Sequence, residues 1–222
     1  MKILIVGHGK MGRAVEQMTQ TAGHVVVGIV DNASDWASVP DDADVAIEFS
    51  TPSTVLANVE QCFLRHLPVV VGTTGWYDHL EDVSSRCLRE GQSLFVASNF
   101  SIGMNIVFML NERLATLMKG HPEYKVSISE THHVHKLDAP SGTAITLSNQ
   151  IKQYGQSGEI EITSKREGEI AGIHTVEYDS AADTITLTHS AKNRSGLAKG
   201  ALLAAEFLIG KTGFFTMKDL LA

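Results

Sequence analysis

The sequence predicts an α/β chain in which a doubly wound parallel sheet is followed by a smaller α+β domain. Three observations carry this. Over the first hundred residues short β-branched runs alternate with helical patterns. Those runs are continuously apolar, as strands buried on both faces are. From about Ser101 the alternation gives way to a long helix, a strand, a histidine-rich polar loop and a second set of strands.

Strands are expected at 3–6, 25–30, 45–49, 69–71 and 94–97, with helices from Met11, over 52–65 and through about Arg89. The 52–65 helix has a start signal: Thr51 as N-cap and Pro52 at the first helical position, where its missing N–H costs nothing. Beyond Ser101 the pattern predicts a helix over 102–119, a strand over 125–130, a helix from Ser141 and strands near Ile160, Thr175 and Thr184. A small-residue helix over 194–209 is stopped by Gly210, and Thr216 with Asp219 three residues later marks a final capped turn. The domains are therefore expected at 1–101 and 102–193, with the tail 194–222 packing back on the first.

Composition narrows the function classes. The chain has 222 residues, a formal charge of -7 and 43% hydrophobic residues, enough to bury an ordinary core. Its Lys and Arg residues are scattered, which disfavours a nucleic-acid surface and leaves only a small anion as a charged ligand. Cys62 and Cys87, without a CxxC pair, fit buried core positions in a reducing compartment. The apolar start over 2–6 is too short for a secretory signal, and no stretch reaches the ~20 apolar residues of a membrane span. A cytoplasmic protein with no membrane partner is expected.

Gly7-His8-Gly9-Lys10-Met11-Gly12 follows the first strand and opens the first helix, the context in which G-x-G-x-x-G is informative. Gly7 permits the tight turn, Gly9 lets a pyrophosphate approach the backbone and Gly12 lets helix and strand touch, while the helix N-terminus offers free N–H groups. Asp31 ends the second strand, where a carboxylate can accept the adenine ribose hydroxyls and repel a 2'-phosphate. This is the Rossmann-like arrangement. Asn32 rather than Arg follows Asp31, so NADH is the expected cofactor, with NADPH still admitted if Lys10 or Arg13 offsets the repulsion. Gly72-Thr73-Thr74 and Ala97-Ser98-Asn99-Phe100 lie at strand C-termini, where backbone and hydroxyl groups can hold the nicotinamide end. A glycine turn that binds nothing is the bland alternative, and strand, helix and Asp31 together argue against it.

The segment from Glu130 to Ala144 is richer in chemistry. His132, His133, His135 and Lys136 fall within five residues, concentrating groups that donate protons near neutral pH and attract carboxylates. Pro140-Ser141-Gly142-Thr143 then begins a helix, so exposed N–H groups and the Thr143 hydroxyl can bind a carboxylate at a position Gly142 leaves open. Zinc on His133 and His135 is the competing reading, but no cysteine or second histidine pair accompanies them, and no metal is expected.

Glu-x-His-His-x-x-Lys-x-Asp-Ala-Pro-Ser-Gly-Thr-Ala resembles the signature of the dihydrodipicolinate reductases, and the glycine fingerprint, Gly-Thr-Thr-Gly and Ser-Asn-Phe-Ser agree with it in order. The resemblance covers nearly the whole chain. It implies a first domain that binds NAD(P)H and a second that binds substrate and builds a homotetramer through its sheet. The implied reaction reduces 4-hydroxy-tetrahydrodipicolinate to tetrahydrodipicolinate with loss of water, in lysine and diaminopimelate biosynthesis. His132 matches the proton donor/acceptor, Lys136 the proton donor, and His133, Gly142 and Thr143 the substrate-binding positions. Gly7 to Gly12, Asp31, Gly72 to Thr74 and Ala97 to Phe100 match cofactor positions.

Two departures from the family pattern stand out. Asn32 replaces a basic residue that many relatives carry, and the segment between Glu167 and His174 is shorter than in longer members. Two other functions fit parts of the sequence. An amino-acid dehydrogenase acting on a dicarboxylate imine would share the layout, and a non-catalytic NAD sensor would share the fingerprint but leave Lys136 and the histidines without a purpose.

Overall fold

A computed structural model of the protein describes residues 1–155, 158–193 and 195–222. They fall into two compact units, Met1–Ser101 with Ser195–Ala222, and Ile102–Arg194.

The first unit is built on a six-stranded, wholly parallel sheet. Its strands are β1 (Lys2–Val6), β2 (Val25–Val30), β3 (Val45–Glu48), β4 (Val69–Val71), β5 (Ser93–Val96) and β10 (Gly213–Phe215), in the order β10-β5-β4-β3-β1-β2. Ile3, Leu4, Ile5, Val6, Val45, Ala46, Ile47, Val69, Val70 and Val71 are fully buried, which is why these runs lack polar alternation. Helices α1 (Lys10–Thr21), α2 (Val55–Leu64), α3 (Leu80–Arg89) and α6 (Ser195–Leu208) connect or cover the strands, and α7 (Met217–Leu221) ends the chain.

The segment 195–222 packs on this sheet. Helix α6 lies against α1 and the central strands, and its small residues make the approach possible: a Cβ added at Gly200 would stand 1.7 Å from the Phe100 carbonyl oxygen. Position 194, the expected start of this helix, lies outside the described residues. Gly210, at φ +71, stops it. Strand β10, which has no counterpart in the sequence expectations, occupies the open edge of β5, and Thr216 and Asp219 form the expected capping box of α7. Cys62 and Cys87 are free and buried.

One boundary is corrected. The helix expected over 52–65 begins at Val55, with Thr54 and not Thr51 as N-cap, and Pro52 lies in the preceding turn. Thr51, Ser53 and Thr54 bond their hydroxyls to one another at 2.9 Å, a local network that competes with helix formation.

The second unit has a four-stranded mixed sheet in the order β7-β6-β8-β9, from β6 (Lys125–His132), β7 (Glu161–Arg166), β8 (Gly172–Asp179) and β9 (Thr184–Ala191). Helices α4 (Ile102–Met118) and α5 (Gly142–Tyr154) form one core with Ile128, Val176 and Tyr178 of the sheet. Strand β6 runs two residues beyond the expected 125–130, so His132 belongs to the strand and not to the loop after it. Among the described residues no helix is long and apolar enough to cross a membrane.

Candidate functional site

The first unit carries a cleft of about 510 Å³ at the C-terminal ends of β1, β2 and β3. Because β2 lies on one side of β1 and β3 on the other, this is the point where strand order reverses, where ligands bind in open parallel sheets. Gly7, His8, Gly9, Asp31 and Asn32 line it. Gly7 adopts φ +85, and a Cβ there would meet the Phe49 carbonyl oxygen at 2.3 Å; a Cβ at Gly12 would meet the Gly7 oxygen at 2.0 Å. Gly9 has nothing within 4 Å of an added Cβ, so its outer face is open. Lys10 and Met11 are the first residues of α1, whose leading amides have no intrahelical acceptor.

Asp31 is exposed, and its Oδ1 accepts the His8 N–H at 2.9 Å. A second acid stands beside it: Asp35 Oδ2 accepts the N–H groups of Asp31 and Asn32 at 2.9 and 2.8 Å, and these bonds hold its carboxyl below the usual range. Of the two basic residues considered, Arg13 donates through Nε to the His8 carbonyl at 3.2 Å.

The cleft has residues that sequence reasoning missed. Trp36 and Asn58 form part of its wall, joined by an indole N–H to Oδ1 bond of 3.2 Å. Ser50 and Asn58 are held by Glu48, fully buried at the end of β3, whose Oε1 accepts the Ser50 N–H at 3.1 Å and Asn58 Nδ2 at 3.3 Å. Burial pushes the Glu48 carboxyl up, against the pull of its Ser50, Thr73 and Asn58 bonds. A carboxylate amid hydroxyls at a strand terminus was the only available signal.

The other expected cofactor segments lie next to each other but do not line this cleft. Ala97 donates its N–H to the Val71 carbonyl at 3.2 Å, joining the ends of β4 and β5. Gly72 leaves room for the Phe49 ring, and the Thr73 hydroxyl accepts the Ser50 N–H at 2.8 Å. Phe100 is buried against Phe49 and Phe95, while Thr74 and Ser98 are exposed and Asn99 is partly so.

In the second unit, strand register assembles a polar patch on the face that is otherwise core. Ile128, Glu130 and His132 alternate along β6; Glu130 stands opposite Ser164 of β7 and His174 of β8, His174 opposite His189 of β9, and His132 opposite Arg166. One row lower, Ile162, Ile128, Val176 and Leu187 pack under the helices. The polar row is thus the end of the hydrophobic face.

Glu130 and His132 are 1% and 7% exposed, and Nδ1 of His132 is paired with Oε2 of Glu130. The other oxygen of Glu130 accepts Arg166 Nη2 at 3.0 Å and the Ser141 N–H at 3.2 Å. Burial works against the Glu130 charge, but the Ser164 hydroxyl, Arg166 and His132 hold the carboxyl below its ordinary range. Burial also holds the His132 imidazole below its ordinary value, with Glu130 opposing. His174 lies 4.9 Å from His132 between ring centroids and 3.1 Å from Ser141 Oγ through Nε2; burial and the His132 charge bring it down to about 4. Glu130, His132 and His174 have the composition of a metal site, with one ligand atom from each within 4.8 Å of the others. The guanidinium and amide already bound to Glu130 instead make it a hydrogen-bonded anion.

Ser141 caps α5, its Oγ accepting the Ala144 N–H, and its carbonyl accepts Ile145 N–H. Gly142 and Thr143 head the helix, and nothing lies within 4 Å of a Cβ at Gly142, so an anion can approach their amides. Lys136 is paired with Asp138 at 2.7 and 2.9 Å. His133 is half-buried, with its ring 6.1 Å from that of the exposed His135. The segment after β7 is fastened to the histidine strand by Glu167 N–H to His132 carbonyl at 2.7 Å and Val134 N–H to Gly168 carbonyl at 3.1 Å.

Comparison with known proteins gives a consistent answer. Residues 1–100 match the family model described as "Dihydrodipicolinate reductase, N-terminus", and residues 103–221 match "Dihydrodipicolinate reductase, C-terminus". The 4-hydroxy-tetrahydrodipicolinate reductase of Christiangramia forsetii is 43% identical, the match covering 100% of this chain and 98% of that one. The enzyme of the same name from Xanthomonas euvesicatoria is 38% identical over 99% of this chain and 97% of its own. Among solved structures, dipicolinate-bound dihydrodipicolinate reductase from a Paenisporosarcina species shares the fold with a TM-score of 0.77 at 21% identity, covering 97% of each chain. An amine dehydrogenase from Mycobacterium smegmatis also shares it, with a TM-score of 0.64 at 9% identity over 98% and 95% of the two chains.

Proposed function

The chain belongs to the dihydrodipicolinate reductase family, and from that premise we propose that it reduces 4-hydroxy-tetrahydrodipicolinate to tetrahydrodipicolinate with loss of water, at the expense of a nicotinamide cofactor. The observation that carries this reading is the pairing, in one chain, of a switch-point glycine cradle with a buried imidazole beside an open helix N-terminus.

The cradle fits a dinucleotide. The Gly9 face and the leading amides of α1 would take the pyrophosphate, and Asp31 the adenine ribose. We infer that NADH is preferred, because the Asp31 carboxylate in the cleft would repel a 2'-phosphate, and the Asp35 carboxylate, bonded to the backbone N–H groups of Asp31 and Asn32 at 2.8 to 2.9 Å, adds negative charge nearby. Gly72 to Thr74 and Ala97 to Phe100, at the ends of β4 and β5, are proposed for the nicotinamide end through their backbone groups. When bound, the reduced nicotinamide supplies the hydride.

The substrate is a cyclic dicarboxylate. Gly142 and Thr143 would bind one carboxylate through the amides that head α5, His133 would add a ring N–H, and Lys136 would offset the remaining anionic charge. Hydride addition to a ring conjugated with an imine leaves an electron-rich, enamine-like carbon that must be protonated. His132 is proposed as the group that handles this proton, with Lys136 as a second donor; such positioned acids typically contribute 10²- to 10⁴-fold. A dianionic ligand favours the imidazolium over the neutral ring that burial favours in the free protein.

We also propose a cytoplasmic homotetramer. In the second unit α4 and α5 pack on one face of the sheet, while Ser129, Thr163, Thr186 and Thr188 on the other are exposed, a face suited to another copy. Oxidation of NADH in the presence of pyruvate and aspartate semialdehyde, condensed in situ, tests the activity. Oxidation with oxaloacetate and ammonia alone would select the amino-acid dehydrogenase reading, which the shared fold permits.

A further inference from the structure

The proposal that His132 handles the proton leaves open which ring nitrogen does so and what sets it. Glu130 is two residues earlier on the same face of β6, nearly inaccessible, and paired with Nδ1 of His132. It is fixed from two further directions, by Arg166 Nη2 at 3.0 Å from β7 and by the Ser141 N–H at 3.2 Å from the start of α5. At the opposite edge of the ring, Nε2 faces Gly172, where even a Cβ would come within 3.1 Å of it. The Nδ1 edge is therefore occupied by Glu130, while the Nε2 edge abuts Gly172, which has no side chain to cover it.

We propose, resting on the reading of His132 above, that Glu130 is the positioning residue of the reaction: it binds the Nδ1 edge of His132 and so makes Nε2 the atom that delivers the proton to the substrate carbon. The step balances simply. The Nε2–H bond breaks, the new C–H bond takes the proton, the electron pair of the enamine carbon forms that bond, and the ring is left neutral with its Nδ1–H donated to Glu130. Other charges face the pair from every neighbouring strand. Arg166 on β7 and Lys136 after β6 disfavour the imidazolium; His174 on β8 adds the same effect if protonated, while His189 on β9 disfavours the charged form of His174; Ser141 bonds both Glu130 and His174. Glu130 is the group among them that favours it, and Arg166 holds Glu130 ionised.

The test compares Glu130→Gln and Glu130→Asp with the parent protein by the pH dependence of kcat and by NADH affinity. Glu130→Gln is expected to lower kcat at least about tenfold and to move the alkaline limb of the profile roughly one unit or more to lower pH, with NADH affinity unchanged and Glu130→Asp partly restoring both. A uniform fall in kcat with an unmoved limb would make Glu130 merely structural and overturn the proposal. Should Glu130→Gln not fold, ¹⁵N spectra of the imidazoles in the parent protein decide the matter: the neutral His132 ring is expected as the Nδ1–H tautomer, and the Nε2–H tautomer overturns the proposal. His132→Ala separates the two readings. Full turnover in that variant removes the histidine mechanism itself, whereas loss of turnover with an unmoved limb in Glu130→Gln removes only the role of Glu130.

Discussion

Oδ1 of Asp31 accepts the backbone N–H of His8 at 2.9 Å, fastening the acid at the end of β2 to the glycine turn at the end of β1. The same carboxylate is exposed in the cleft, where it would also take a ribose hydroxyl. Charge-assisted bonds of this kind contribute about 1.5–3 kcal/mol, or roughly a ten- to hundredfold change in affinity. Asp31→Ala is therefore expected to lower kcat/KM for NADH by that factor while lowering it less, or raising it, for NADPH. Equal losses with both cofactors would contradict the placement of Asp31 at the ribose.

His132→Ala is expected to lower kcat by roughly two orders of magnitude. NADH affinity, measured by fluorescence titration, should stay close to that of the parent because the cradle is built from other residues. Retention of most of the turnover would remove His132 from the chemistry.

Lys136 spends its charge on Asp138 in the free protein, at 2.7 and 2.9 Å, and this pair holds the Asp138 carboxyl below its usual range. Substrate would compete with that partner. Lys136→Ala should weaken binding of pyridine-2,6-dicarboxylate roughly tenfold or more and depress kcat as well, readable by calorimetry and turnover. Undiminished affinity for the dicarboxylate would exclude Lys136 as an anion-binding group.

Acid should destabilise the fold through His174. Burial, and next the His132 charge, bring its folded value from 6.5 to about 4, so between those values the unfolded chain binds a proton that the folded chain refuses. Its contribution is complete above pH 6.5 and is lost as pH falls toward 4, on the order of 3 kcal/mol in all. His132 and His189, also lowered by burial, act in the same direction. His174→Gln is expected to flatten the fall in denaturant midpoint between pH 7 and pH 4.5; an unchanged slope would contradict a buried neutral ring.

Much of the fold was legible because the signals were local. Continuous apolar runs gave the parallel sheet, and strand, glycine turn, helix and Asp31 gave the cradle. The errors lie where distant groups decide. The polar run from Ser50 to Thr54 reads as a helix start, but Glu48 accepts from Ser50 and the hydroxyls bond one another, so the helix waits for Val55. Strand β10 exists only because β5 offers an unpaired edge. In the second unit, Glu130 and His132 share a face because β6 runs past the expected end at 130 to His132. Ser164, Arg166, His174 and His189 join them only through the register of β7-β6-β8-β9, an order that is not the chain order and leaves no trace in local pattern.

A crystal structure of the protein with pyridine-2,6-dicarboxylate bound is the most direct measurement. The account expects one carboxylate on the amides of Gly142 and Thr143 and the ring within hydrogen-bonding reach of Nε2 of His132. A ring seated away from residues 132–143 would contradict it.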